Sequence, residues 1–201
     1  RDNSIFIHNT NLYRDGDNAF VGEGAASANM ILNSTFMYNR AAFGGAVSNT
    51  KEIYYSVFVN NTAEYEGNDI YSYKGDVDYS TNWWGDNQKP GSDKIFKFLG
   101  TMTIKDWVVM SFEYTSSKEV KASLLNFRDD TNIYPLTSYL PQRLVYFITE
   151  GREINPKTAY MNNGFACADI SYPENAQDFK IYARIDNQIM EINADFYIPT
   201  D

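Results

Sequence analysis

A single cysteine, Cys167, and a single histidine, His8, occur in 201 residues. A lone thiol excludes an internal disulfide and any cysteine-based metal cluster. The net charge is -9 and the pI is near 4.6, and no Lys/Arg cluster interrupts that acidity, which argues against a nucleic-acid partner. No apolar run is long enough to cross a bilayer, so no membrane insertion is expected. Helix-period apolar patterning is missing as well. So is a secretory leader; the chain opens inside a repeat, which predicts a piece excised from something longer. Against these absences stand abundant Asn and an aromatic content of 16%, in which Tyr dominates. Such a composition is β-rich and extracellular in type, and the length suits two modest domains.

The chain is organised around one seven-residue phrase stated three times. It reads Asn3-Ser4-Ile5-Phe6-Ile7-His8-Asn9, then Asn33-Ser34-Thr35-Phe36-Met37-Tyr38-Asn39, then Tyr55-Ser56-Val57-Phe58-Val59-Asn60-Asn61. Copies at this spacing predict stacked supersecondary units. Ser and Phe sit two apart and share one face of a strand, so stacked copies place Phe6, Phe36 and Phe58 in one inward column. Asn9, Asn39 and Asn61 fall where the chain turns; Asn tolerates left-handed backbone, and stacked Asn amides can bond from rung to rung. Glycines follow each turn, most fully in Phe43-Gly44-Gly45-Ala46-Val47. The fold expected for residues 1–88 is the end of a parallel β-helix. Asn82-Trp83-Trp84-Gly85 replaces the Phe of the last coil and reads as a plug on its core.

Asp86 to Asp93 is turn chemistry, and 89–103 reads as a connector. From 104 to 201 the texture is that of an immunoglobulin-like β-sandwich. Strands are predicted over 107–114, 119–127, 143–149, 164–172, 178–185 and 188–197, with a hairpin turn at Asp186-Asn187. Val120, Ala122 and Leu124 share one face. Val145 and Phe147 lie opposite Leu144, Tyr146 and Ile148.

The order of these features resembles a known family, the adhesin-like surface proteins of methanogenic archaea. The residues that carry the resemblance are the Asn-Ser-x-Phe-x-x-Asn repeats, Gly44-Gly45-Ala46, the terminal Asn82-Trp83-Trp84-Gly85-Asp86-Asn87, and Trp107-Val108-Val109-Met110 with Thr131 to Leu136 and Leu140-Pro141. The resemblance implies a right-handed parallel β-helix followed by an Ig-like domain, exposed at the cell surface. It implies non-enzymatic attachment to glycans or proteins of a partner cell, with no cofactor. The family's wall-anchoring region has no counterpart in this sequence. Two other readings stand beside attachment: a purely structural stalk, and a polysaccharide lyase or hydrolase on the β-helix scaffold.

The residues themselves nominate no catalytic, cofactor or metal site. Glycosidases need a carboxylate pair, yet the outward positions beside the Phe column are Ile5, Ile7, Thr35, Met37, Val57 and Val59. That apolar or neutral stripe reads as a face covered by a loop or neighbouring domain, with a binding face as the alternative. His8 occupies a position where the other copies carry Tyr38 and Asn60, so it reads as a solvent-side corner. Asp15-Gly16-Asp17-Asn18 and Asp129-Asp130-Thr131-Asn132 have Ca²⁺-like oxygen spacing but no distal bidentate Glu, and read as acidic loops. Asn33 and Asn60 head glycosylation sequons. Cys167 reads as a small buried residue.

Overall fold

The computed structural model describes residues 4–14, 20–171 and 179–194, which are all-β, with no helix among them. The three copies of the repeated phrase pair as parallel strands, Ile5–Ile7, Thr35–Met37 and Val57–Val59. Phe6 pairs with Phe36, and Phe36 with Phe58, in register. Their rings stack at 4.9 and 5.0 Å, and the Trp84 indole continues the column at 4.8 Å from Phe58. Offset ring pairs add about 0.5–1.5 kcal/mol each beyond burial.

Three further parallel sheets follow in fixed succession. One holds Thr10–Asn11, Arg40–Phe43 and Thr62–Glu66; the next holds Val47–Ser48, Ile70–Lys74 and Ile95–Leu99. The last holds Met30–Leu32, Glu52–Tyr54, Val77–Asp78 and Met102–Thr103. The segment 89–103, expected to be a connector, therefore supplies two more parallel strands. Its Ile95 is buried in the same apolar cluster as Phe36, Phe58 and Trp84.

Two polar ladders run beside the Phe column. The backbone N–H groups of Ser4, Ser34 and Ser56 donate to Ser34 Oγ, Ser56 Oγ and Asn82 Oδ1 of the following rung. Asn9 donates its amide to Asn39 Oδ1 and Asn39 donates to Asn61 Oδ1, both at 2.9 Å; Asn61 donates to Asp69 Oδ1, also at 2.9 Å. The expected turn position needs a correction. The left-handed residues are His8, Tyr38 and Asn60, with φ of 55°, 55° and 53°, one position before each ladder Asn. The bend one residue early aims the Asn side chain inward, where its amide satisfies backbone groups that would otherwise be buried unpaired.

The glycine step is a matter of close approach. A Cβ on Gly45 would lie 2.4 Å from the carbonyl oxygens of both Asn68 and Thr62.

Two antiparallel sheets follow. The first is built of Trp107–Ser116, Glu119–Arg128, Phe165–Ser171 and Glu153–Asn155, with Ile133–Pro135 also paired to Glu119–Arg128. The second orders Thr158–Tyr160, Leu144–Thr149, Phe179–Ile185 and Gln188–Ala194. Burial sorts the faces that alternation had separated: Val120, Ala122, Leu124, Val145 and Phe147 are all buried.

The two apolar cores meet at one strand. Trp107 and Val109 join the cluster around Phe36 and Trp84, whereas Val108, Met110 and Phe112 join the cluster of the antiparallel sheets. An apolar run without alternation is what a strand buried on both faces requires. The adjacent tryptophans divide in the same way. Trp84 ends the Phe column; Trp83, paired with Val57, enters the antiparallel core together with Val57 and Val59.

Candidate functional site

The neutral stripe beside the Phe column is covered in a gradient. Ile5 is 73% exposed and Ile7 45%, Thr35 is buried and Met37 half-buried, while Val57 and Val59 are sealed by the antiparallel sheets. Where the cover begins, a cleft of about 400 Å³ opens between the corner at Tyr38 and the outer face of the second antiparallel sheet. Its walls include Met37, Tyr38, Leu144, Tyr146, Arg184 and Asn187.

Each wall residue is held by a local cause. Tyr38 is turned outward by its left-handed backbone and stacks on His8 with ring centroids 5.0 Å apart; its side chain remains exposed. Tyr146 and Arg184 are cross-strand partners on the outer sheet face, because the inward positions around them are Val145, Phe147, Ala183 and Ile185. The Arg184 guanidinium lies 4.4 Å from the Tyr146 ring centroid, a cation–π arrangement. Asp186 is left-handed at the hairpin turn between the last two strands, φ 53°. Its carboxylate accepts from Arg143 Nε at 3.0 Å, from the second nitrogen of the same guanidinium, and from Trp83 Nε1 at 2.8 Å. Asn187 donates its backbone N–H to the Gly85 carbonyl and its side-chain amide to Asn60 Oδ1, both at 3.0 Å. The hairpin is thereby clamped onto the parallel half, and the cleft is a rigid feature of that joint.

Chemically, the arrangement offers exposed aromatic surface beside planar hydrogen-bonding groups. Asp186 is the one carboxylate among the lining residues, and its oxygens are already engaged by Arg143 and Trp83. A second cleft, about 200 Å³, lies among Leu124, Tyr139, Leu140, Met161 and Gly164 and is lined by no charged side chain.

The residues singled out in the sequence are scattered. His8 is exposed at its corner. Asp129 caps its own turn: its Oδ1 accepts the backbone N–H groups of Thr131 at 2.7 Å and Asn132 at 2.6 Å. Those bonds hold its carboxyl below the ordinary range. Asp130 pairs with Lys89 at 2.9 Å. Asp15, Gly16, Asp17 and Asn18 lie outside the described residues. Asn60 is exposed and engaged by Asn187, and Asn33 is left-handed, φ 47°. Cys167 is half-buried rather than buried, since Ala166, Ala168 and Ile170 take the inward positions of its strand. Partial burial, the largest cause, together with Glu119 pushes its thiol up. No grouping of three His, Cys, Asp or Glu suited to a metal occurs among the described residues.

Sequence reading missed the Tyr146–Arg184 pair and the Arg143–Asp186–Trp83 clamp. Alternation placed Tyr146 on the face opposite Val145 and Phe147, but pairing across 38 positions of chain depends on sheet register. Comparison with protein families, curated proteins and solved structures finds no match for this chain.

Proposed function

We propose that this chain is part of an extracellular, cell-surface adhesin-like protein of the kind made by methanogenic archaea, and that it attaches non-covalently to glycans of a partner cell. In this reading the successive parallel sheets are the end of a right-handed parallel β-helix serving as a stalk. The two antiparallel sheets are an Ig-like sandwich seated on its last rungs. The observation that carries the reading is the cleft itself: exposed Tyr38, the Tyr146–Arg184 pair and Asn187 line one rigid concavity. Sugars are recognised by ring stacking together with planar hydrogen-bonding groups, and a pre-formed site saves ordering cost. Attachment is favoured over polysaccharide cleavage because the cleft holds a single, already-engaged carboxylate where a glycosidase needs two. Strength would come from many copies acting together.

The test is a glycan array and a whole-cell pull-down, each with monomeric and bead-coupled protein. Capture by beads that is lost in Tyr38→Ala supports the reading. Capture unaffected by Tyr38→Ala refutes the cleft, and product release from any polysaccharide refutes the non-enzymatic assignment. A structural stalk without binding is the second reading. It draws on the interlocked joint, where Val57, Val59 and Trp83 sit in the antiparallel core. Absence of binding in either format would favour it.

A further inference from the structure

We infer that the cleft selects an anionic saccharide, a glycan carrying a uronic-acid-type carboxylate, and that Arg184 is the residue that reads the charge; this rests on the attachment reading above. On the outer face of this sheet, among the described residues, the carboxylates are already engaged by other groups and not by Arg184. Asp186 is paired with Arg143, and Glu191 with Lys180 at 2.7 Å. Glu150, at the far end of the same face, accepts a hydrogen bond from the Tyr182 hydroxyl. Among the described residues Arg184 has no carboxylate partner. Among the described residues, a chain of net charge -9 thus keeps one cation at its tyrosine-lined concavity without a carboxylate partner.

The geometry suits a carboxylate in particular. The Arg184 guanidinium carbon lies 4.4 Å from the Tyr146 ring centroid, and among the described residues its N–H donors have no hydrogen-bond acceptor. Those donors form the fork that matches two carboxylate oxygens. The contact with Tyr146 also restrains the side chain, so less rotamer freedom is lost on binding. Tyr38, across the cleft, supplies ring area for the pyranose body, and the Asn187 amide supplies a neutral polar contact for hydroxyls. A ligand with both a hydrophobic ring face and a charged substituent satisfies all of these groups at once. A neutral glycan leaves the cation without a partner.

The experiment uses the full chain and two matched probes, oligogalacturonate and its methyl ester, which share ring and linkage and differ in charge. The wild type is expected to bind the acid about tenfold to a hundredfold more tightly than the ester. High salt should narrow that gap. Arg184→Met, which keeps apolar contact with Tyr146, should bring the acid down to the ester's affinity. Arg184→Lys, retaining charge without the fork, should fall between. Unchanged melting of both variants separates loss of recognition from loss of fold. Equal affinity of the wild type for acid and ester overturns the inference while leaving glycan attachment standing. So does a preference for acid that survives in Arg184→Met, which would put the cation elsewhere. If Tyr38→Ala leaves binding of both probes intact, the cleft reading falls and this inference with it.

Discussion

Replacing Asp186 by Asn tests whether the joint between the two halves is an electrostatic clamp. Asn is the informative substitution because it tolerates the left-handed backbone at this turn and still offers an oxygen to Trp83 Nε1. What it removes is the charge facing Arg143. The two side chains are 6% and 11% exposed, so neither is well placed to regain water when its partner is lost. Exposed pairs are worth about 0–1 kcal/mol, but breaking a buried pair from one side costs about 3–5 kcal/mol. The retained Trp83 bond places Asp186→Asn at the lower end, about 3 kcal/mol. Urea unfolding, followed by tryptophan fluorescence and far-UV CD, measures this as a lower midpoint with unchanged slope. Combining Asp186→Asn with Arg143→Met removes the stranded cation, and most of the loss should be recovered. A single-variant cost near zero, or a double variant no better than the single, would refute the clamp.

Other perturbations probe the ladders and the shared cores. Asp69 ends the Asn ladder fully buried, and burial, outweighing the bond from Asn61, raises its pKa from 3.8 to about 6. A carboxyl with a raised folded value binds its proton more tightly in the native state, so its contribution is present below 3.8 and lost as pH rises through about 6. Asp69→Asn should abolish that slope and raise the melting temperature at neutral pH; a variant no more stable than the parent at pH 7 would contradict it. Phe36→Ala should cost about 3–5 kcal/mol, since the ring is fully buried between two others; a midpoint shift equivalent to less than about 1 kcal/mol would argue against the stacked column. Gly45→Ala should prevent soluble expression, because two backbone carbonyls occupy the space a Cβ needs; a well-folded variant would show that the backbone there can relax. Because both cores draw on both halves, the full chain should unfold in one transition and residues 104–201 alone should lack cooperative melting. Two resolved transitions would show the halves to be energetically separate.

What was legible in the sequence followed local periodicity. The Ser-x-Phe spacing put the rings in one column, and alternation sorted Val120, Ala122 and Leu124 from their neighbours. The hairpin at Asp186-Asn187 was readable from turn chemistry. What was not legible depended on distant partners. Ile5 and Val57 occupy the same position of the repeat, yet one is 73% exposed and the other 0%. The difference lies in a sheet contributed by residues far along the chain. Tyr146 and Arg184 had unremarkable outward positions until antiparallel register set them side by side.

The paired tryptophans carry a sequence signal of burial on two sides. Adjacent residues of a strand point to opposite faces, so Trp83 and Trp84 could not both plug one core. Only Trp84 continues the Phe column, with its buried Nε1 unpartnered; Trp83 had to face something else, and there its indole N–H finds an acceptor. That acceptor is Asp186, which also holds Arg143. The same two-sidedness governs Trp107 to Met110, a run apolar at every position because each face meets a different core. A stretch of strand that breaks the alternation rule is thus evidence for contact on both sides. Here that contact is the joint that forms the wall of the cleft.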